Sequence, residues 1–314
     1  MEQLLELIRQ AGSVAVVTHT SADGDALGSS LAMALTLEHM GKKVAVFLEE
    51  AVPKTLDFLP GQQHIGTNFE QNFDLAICLD TSDMHRLGKR AQLYTNARHK
   101  ITIDHHTTNN MEADGLWIDT KAAAVGEMVY FLAAALQVPI SHDMAICLYT
   151  AITTDTGGFR YSNTRPESHL IAAELLKKEI PFADISKKVF EVVTYSKMSL
   201  MKKTLDNLTL FHNGRIAFSW INHDDIQPIN AQSDDFEGLV NVGRNLEGVE
   251  VSLFLREEKP GHYKGSLRAN DYVDVARIAN LFSGGGHKRA AGFSMDGKLE
   301  DIRELLLAEI EKVV

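Results

Sequence analysis

Through the first half of the chain, short runs of apolar and β-branched residues alternate with longer amphipathic stretches, a pattern that predicts a parallel sheet flanked by helices. Leu4, Leu5, Leu7 and Ile8 recur at helical spacing within residues 1–10. Residues 13–18 (SVAVVT) read as a buried strand, 26–39 as a helix stopped near Gly41, and 43–48 (KVAVFL) as a second strand, together a β-α-β unit. Pro53, Pro60 and Gly61 break the next stretch into turns. Strands return at 73–79 and 100–103, followed by helices at 122–136, 142–154, 166–178, 183–194 and 196–208.

The texture then changes. Residues 208–212 and 215–220 predict short strands joined at an Asn213-Gly214 hairpin turn, 249–256 and 263–268 further strands, and 273–282 a helix. The expected architecture is α/β: a parallel-sheet domain over residues 1–187, a helical linker over 188–209, and a smaller α/β domain with a mixed sheet over 210–314. A length of 314 residues suits two cores better than one.

Composition narrows the function classes. With 45% hydrophobic and 23% charged residues the chain reads as an ordinary globular protein. Its longest apolar run, 128–136, falls short of the ~20 residues of a membrane span. The start, MEQLLELIRQ, lacks the basic head and cleavage site of a secretory signal, so no membrane partner and a cytoplasmic location are expected. Cys78 and Cys147 sit in apolar runs and read as buried thiols. A net charge of −11 argues against an extended nucleic-acid surface while leaving room for a short anionic ligand at a cationic pocket.

The chemistry concentrates in residues 18–30, THTSADGDALGSS, which put His19, Asp23 and Asp25 in one turn between a strand and a helix. Such a turn lies at the carboxyl edge of a sheet, where open α/β proteins bind ligands. Asp80 ends the next strand, Asp104, His105 and His106 the one after, and Asp155 follows a helix. One Asp in such a place is more often a cap, and one His more often a hydrogen-bonded core residue. The recurrence of His19, Asp23, Asp25, Asp80, His105 and Asp155 at element ends points instead to a divalent metal. The mixed oxygen and imidazole set favours Mn²⁺ over Mg²⁺.

These residues resemble the motifs of the DHH phosphoesterases, named for the triplet that stands here as Asp104, His105 and His106. The match includes His19-x₃-Asp23-x-Asp25, Asp80 in LDTSD, IDHH, and Asp155 in TTDTGGFRY. The resemblance implies that His19, Asp23 and Asp80 hold one ion and Asp25, Asp80, His105 and Asp155 a second, with Asp80 shared. Two such ions roughly 3.5 to 4 Å apart clamp the oxygens of an in-line displacement at phosphorus. Asp104 would fix a neighbouring imidazole, and His106 would stabilise the substrate phosphate or protonate the leaving oxygen. Arg160 reads equally as a phosphate clamp or a loop tether.

Downstream, Gly284, Gly285, Gly286, His287, Lys288 and Arg289 resemble the glycine-rich signature of the DHH-associated domain, which binds the nucleotide part of the substrate. Glycines let backbone N–H groups approach an anion, although a glycine-rich turn alone is more often just a flexible loop. His287 is the first candidate for a substrate contact, with Arg268 (in SLRAN) and Arg244 (in NVGRN) behind it, and a surface salt bridge the alternative for each arginine. Within the family the chain looks like the nanoRNase group. That implies hydrolysis of short single-stranded RNA to nucleoside 5′-monophosphates, removal of the 3′ phosphate from adenosine 3′,5′-bisphosphate, and a homodimer. The competing readings are a cyclic or linear dinucleotide phosphodiesterase, an inorganic pyrophosphatase, and a nucleotide-binding regulator without catalysis.

Overall fold

The computed structural model describes residues 1–314, which divide into two units, 1–192 and 193–314. In the first, α1 (Glu2–Gln10), β1 (Ser13–Val17), α2 (Gly24–His39), β2 (Lys43–Phe47), β3 (Leu75–Leu79), α3 (Arg90–Asn96), β4 (His99–Asp104) and β5 (Gly115–Ile118) precede α4 (Val125–Ala135), α5 (His142–Asp155), α6 (Pro166–Leu176) and α7 (Phe182–Ser186). The five strands form one parallel sheet in the order β2-β1-β3-β4-β5. Both faces are covered, which is why its strands read as continuous apolar runs. Val14 and Val16 join the core under α2, α4 and α5, while Ala15 and Val17 join a second core with Leu93 and Tyr94 of α3. Cys78 and Cys147 are buried free thiols in these two different cores.

In the second unit, α8 (Tyr195–Asp206), β6 (Thr209–Phe211), β7 (Ile216–Ile221), α9 (His223–Ile226), α10 (Asn241–Arg244), β8 (Val251–Lys259), β9 (His262–Ala269), α11 (Val275–Leu281), β10 (Gly285–His287), β11 (Ala290–Asp296) and α12 (Leu299–Ile310) build a six-stranded sheet ordered β10-β11-β9-β8-β7-β6. The β7–β8 pair is parallel and the rest antiparallel, so the sheet is mixed, as the sequence predicts. The Asn213-Gly214 turn joins β6 to β7, with His212, Asn213 and Gly214 all at positive φ. One face carries Leu253, Leu267, Ala291 and Phe293 into a core with α11 and α12. The other packs Leu200 of α8 against Ile221 and Phe254.

Two expectations are corrected. The helix expected over 183–194 ends early: α7 passes directly into a π-helical turn over Lys187–Glu191, and Val192 is extended. The β-branched Val192, Val193 and Thr194 resist helix, and the Thr194 hydroxyl caps α8 by accepting the Lys197 N–H at 2.9 Å. As a result α8, read from sequence as part of a linker, packs as an element of the second unit. No helix is long and apolar enough to cross a membrane.

Candidate metal centre

The order of strand addition reverses between the parallel neighbours β1 and β3, and it is at the carboxyl ends of these strands that ligand-type side chains gather. β1 runs into His19, β3 into Asp80, and β4 into Asp104, His105 and His106. This is the crevice that doubly wound sheets use for ligands. Asp80 sits at φ 53°, a left-handed conformation that Asp tolerates better than most residues. Asp25 and Asp155 arrive from helices: Asp25 lies in the first turn of α2, and Asp155 is the last residue of α5. A Cβ at Gly28 would stand 2.6 Å from the Cys147 carbonyl, and one at Gly24 would stand 2.3 Å from Thr154 Cγ2. Only glycine lets α2 and α5 approach closely enough to bring those two carboxylates together.

The ligand-type atoms form three overlapping groups, each within 4.8 Å: His19, Asp23 and Asp80; Asp25, His105 and Asp155; Asp80, His105 and His106. His19 Nδ1 lies 2.6 Å from the Thr20 carbonyl and His105 Nδ1 3.0 Å from the Ala122 carbonyl. A carbonyl only accepts, so both rings carry hydrogen on Nδ1 and keep Nε2 for the centre. There His19 Nε2 is 3.4 Å from Asp80 Oδ2, and His105 Nε2 is 3.5 Å from Asp80 Oδ1 and 3.6 Å from Asp155 Oδ2. Good hydrogen bonds are shorter. Atoms bound to one ion at about 2.1 Å stand about 3 to 3.5 Å apart, which is nearer to what is found. Asp80 Oδ1 is also buried with no hydrogen-bond partner. These residues fit a divalent cation.

Electrostatics agree. Burial, reinforced by Asp80 and Asp155, pushes the Asp25 carboxyl well above the usual range. Burial and the nearby Asp80 push Asp155 to about 7, even against the opposing pull of His105. Burial disfavours the His105 imidazolium, yet Asp80, Asp25 and Asp155 outweigh it and lift that ring to about 11. Burial likewise works against the Asp80 carboxylate, but His105 and His19 hold its pKa below the ordinary range. Asp155 also ends a helix, where the backbone dipole is negative and a carboxylate is unfavourable without a cation. Protons thus stand in for missing positive charge, and a cation would displace them.

Around this set, Asp23 Oδ1 caps α2 by accepting the N–H groups of Asp25 and Ala26 at 3.1 and 3.0 Å. Buried Asp104 accepts from His106 Nδ1 at 2.7 Å and from Asn109 Nδ2 at 2.7 Å, so the imidazole it fixes is that of His106. Arg160 donates Nε–H to the Gly157 carbonyl and lies over the Phe190 ring at 5.8 Å, the arrangement of a loop tether.

In the second unit the glycine-rich motif is an edge strand rather than an open loop. Gly285, Gly286 and His287 pair with Gly292, Ala291 and Ala290, and exposed Lys288 and Arg289 form the turn. Register places His287, Ala290, Arg268 and Ser252 in one row across β10, β11, β9 and β8. Their side chains share the face opposite the α11 and α12 core, with His287 about 10 Å from Arg268 by strand spacing. α10 packs on that face at Gly243, where a Cβ would stand 2.6 Å from Ser252 Oγ, so Arg244 belongs to the same side. Arg289 Nη2 lies 4.0 Å from Asp271 Oδ1 across an exposed surface.

Residues 13–152 match the DHH family N-terminal domain, and residues 213–314 match the DHHA1 domain. The bifunctional oligoribonuclease and PAP phosphatase NrnA of Thermus thermophilus is 33% identical over 290 residues, covering 91% of this chain and 85% of that protein. The chain belongs to the DHH family. Among solved structures, an exopolyphosphatase-related protein from Bacteroides fragilis superposes with a TM-score of 0.93 at 29% identity, covering 99% of this chain and 95% of its own. RecJ from Thermus thermophilus in complex with Mn²⁺ shares the DHH fold with a TM-score of 0.53 at 16% identity, over 98% of this chain and 53% of RecJ.

Sequence reasoning passed over several residues of this DHH centre. Asn109 anchors Asp104, and Ser29 Oγ donates to Asp25 at 2.8 Å. Asn163 Nδ2 donates to the Ala123 and Asp155 carbonyls, and Glu127 is fully buried. Their polar side chains look like ordinary loop and helix residues. Only the charge of Glu127 inside an apolar helix was a visible signal.

Proposed function

We propose that this DHH protein is a metal-dependent hydrolase that cleaves short single-stranded RNA to nucleoside 5′-monophosphates and removes the 3′ phosphate from adenosine 3′,5′-bisphosphate. The observation that carries the reading is the pair of adjoining ligand groups, His19 with Asp23 and Asp25 with His105 and Asp155, on either side of the Asp80 carboxylate. Two divalent ions, most naturally Mn²⁺, would be held by those six residues. When bound they would supply Lewis-acid polarisation of the phosphoryl oxygens and activation of water at neutral pH.

The remaining work falls to the protein's own groups. Asp104 keeps hydrogen on His106 Nδ1 and would stabilise that ring when it is charged. Nε2 is then the atom through which His106 would neutralise a phosphate oxygen or protonate the leaving oxygen. In the second unit, His287, Arg268 and Arg244 on one sheet face, with Lys288 and Arg289 at the hairpin tip, would bind the phosphate and base of a short substrate. The acidic chain, at −11, disfavours long nucleic acid, which fits short substrates.

The test is to incubate purified protein with Mn²⁺ and, in parallel, labelled RNA of two to five residues, adenosine 3′,5′-bisphosphate, a cyclic dinucleotide and pyrophosphate. Turnover of the first two in preference to the others is expected. Preferred turnover of the cyclic dinucleotide or of pyrophosphate would transfer the assignment to that substrate, and tight binding of nucleotides without turnover would overturn the enzyme reading.

A further inference from the structure

One short segment reaches Asp25 and His105 directly and the backbone of Asp155 through Asn163. The Ala122 carbonyl accepts from His105 Nδ1 at 3.0 Å. The N–H groups of Val125 and Gly126 donate to Asp25 at 2.6 and 2.9 Å. The Ala123 carbonyl accepts from Asn163 Nδ2 at 3.0 Å, and that same amide donates to the Asp155 carbonyl at 3.1 Å. Residues 122–126 therefore act as a backbone template for the group. The hydrogen bonds of the other group do not involve residues 122–126: His19 donates to the Thr20 carbonyl, and Asp23 accepts the N–H groups of Asp25 and Ala26.

What fixes the template is Glu127, whose side chain is fully buried in the first turn of α4. Its Oε2 accepts the Ala123 N–H at 3.1 Å and Arg165 Nη2 at 2.6 Å, and its Oε1 accepts from the Ser168 hydroxyl. A buried carboxylate is tolerated only when paired and hydrogen-bonded in this way. Arg165 and Ser168 lie just past Asp155 in the chain, at the start of α6, so Glu127 ties the template to the stretch that follows the third ligand. Donors that orient ligand rings and carboxylates commonly set metal affinity about 10- to 100-fold.

We propose that Glu127 and Asn163 are positioning residues for the Asp25, His105 and Asp155 group, setting the affinity of that group for a divalent ion without altering the His19 and Asp23 group. The inference rests on the two-ion reading. The experiment titrates the metal-free full chain with Mn²⁺, following heat and the paramagnetic signal of the free ion. Wild type should bind two ions. Glu127→Gln should weaken one step by about 10- to 100-fold and leave the other unchanged, with activity recovering as Mn²⁺ is raised.

Two controls keep the outcome decisive. Glu250 is a buried carboxylate of the second unit that accepts the N–H groups of Asp271, Tyr272 and Val273. Glu250→Gln should lower Tm yet leave both binding steps intact, and loss of the same step in this variant would reduce Glu127 to general stability. Asn163→Ala covers the case in which Glu127→Gln fails to fold, and should weaken the same single step. Wild-type affinity at both steps in either template variant overturns the proposal. A wild-type chain that binds only one ion overturns the two-ion reading and the proposal with it.

Discussion

The metal centre and the glycine-rich hairpin are both short runs of distinctive residues, yet they stand in opposite relation to the fold. At the centre, several carboxylates are packed at a cost to folding: Asp80 Oδ1 has no partner, and Asp25 and Asp155 are pushed toward protonation. At the hairpin, a structural account goes far without any ligand. Gly284 lets the chain pass the Gly292 carbonyl, 2.3 Å from where a Cβ would stand, and Gly286 combines φ 147° with a Cβ position 2.4 Å from the Ala290 carbonyl. A residue that costs stability where it sits is strong evidence of function; a residue the backbone requires is weak evidence.

The sharpest way to break this contrast is Asp80→Asn. Loss of the shared carboxylate should lower kcat/KM by about 1,000-fold or more, about 4 kcal/mol in the barrier, in a steady-state assay of the bisphosphate. A rate near wild type would mean that Asp80 does not link the two groups. His106→Ala should cost about 100- to 10,000-fold in kcat while Mn²⁺ still binds with wild-type stoichiometry. If stoichiometry falls, His106 belongs among the ligands, as its grouping with Asp80 and His105 permits. His287→Ala should raise KM about tenfold with kcat nearly unchanged.

A smaller effect tests the cost of the centre directly. The Asp155 carboxyl is raised from 3.8 to about 7 in the fold, so the folded chain holds that proton more tightly than the unfolded one. Its contribution therefore favours the metal-free fold at low pH and is lost as pH climbs through that interval. Asp155→Asn removes the charge, and at pH 8 it should raise the stability of the metal-free protein by roughly 1 kcal/mol, a Tm gain of about 2 to 4 °C. At pH 5 the gain should fall to less than half, and it should vanish only as pH drops below 3.8, where the unfolded carboxyl is protonated too. Mn²⁺ at about 100 times its Kd should stabilise wild type by about 2.7 kcal/mol, and the variant by less.

Much of this was legible in the chain, and what was not has physical causes. Parallel strands buried on both faces show as the apolar runs SVAVV and LAICL, and the residues after them are the ones that cluster. Asp23 could be read as a helix cap or as a ligand from its spacing, and its geometry accommodates both, since Oδ1 caps α2 while lying 4.0 Å from His19 Nε2. The backbone partners of Asp25 were illegible because hydrogen bonds between segments far apart in the chain leave no periodic trace: Val125 is 100 residues from the carboxylate it serves. The edge strand Gly285–His287 was hidden for another reason. Glycine has low strand propensity, and only pairing with β11 imposes the extended form.

Gly285 therefore offers the finest test of the hairpin. A Cβ there would meet only Asn280 Oδ1, at 4.0 Å, in contrast to the blocked positions on either side. Gly284→Ala and Gly286→Ala should each destabilise by roughly 1 to 3 kcal/mol through overpacking against backbone. Gly285→Ala should leave stability within about 0.5 kcal/mol. If the motif receives a phosphate on bare backbone, Gly285→Ala should still raise KM for adenosine 3′,5′-bisphosphate by about 3-fold, with kcat unaltered, because the added methyl holds the anion away from the N–H groups. An unchanged KM would leave the glycines as hairpin residues and put recognition on side chains such as His287 and Arg268 rather than on bare backbone.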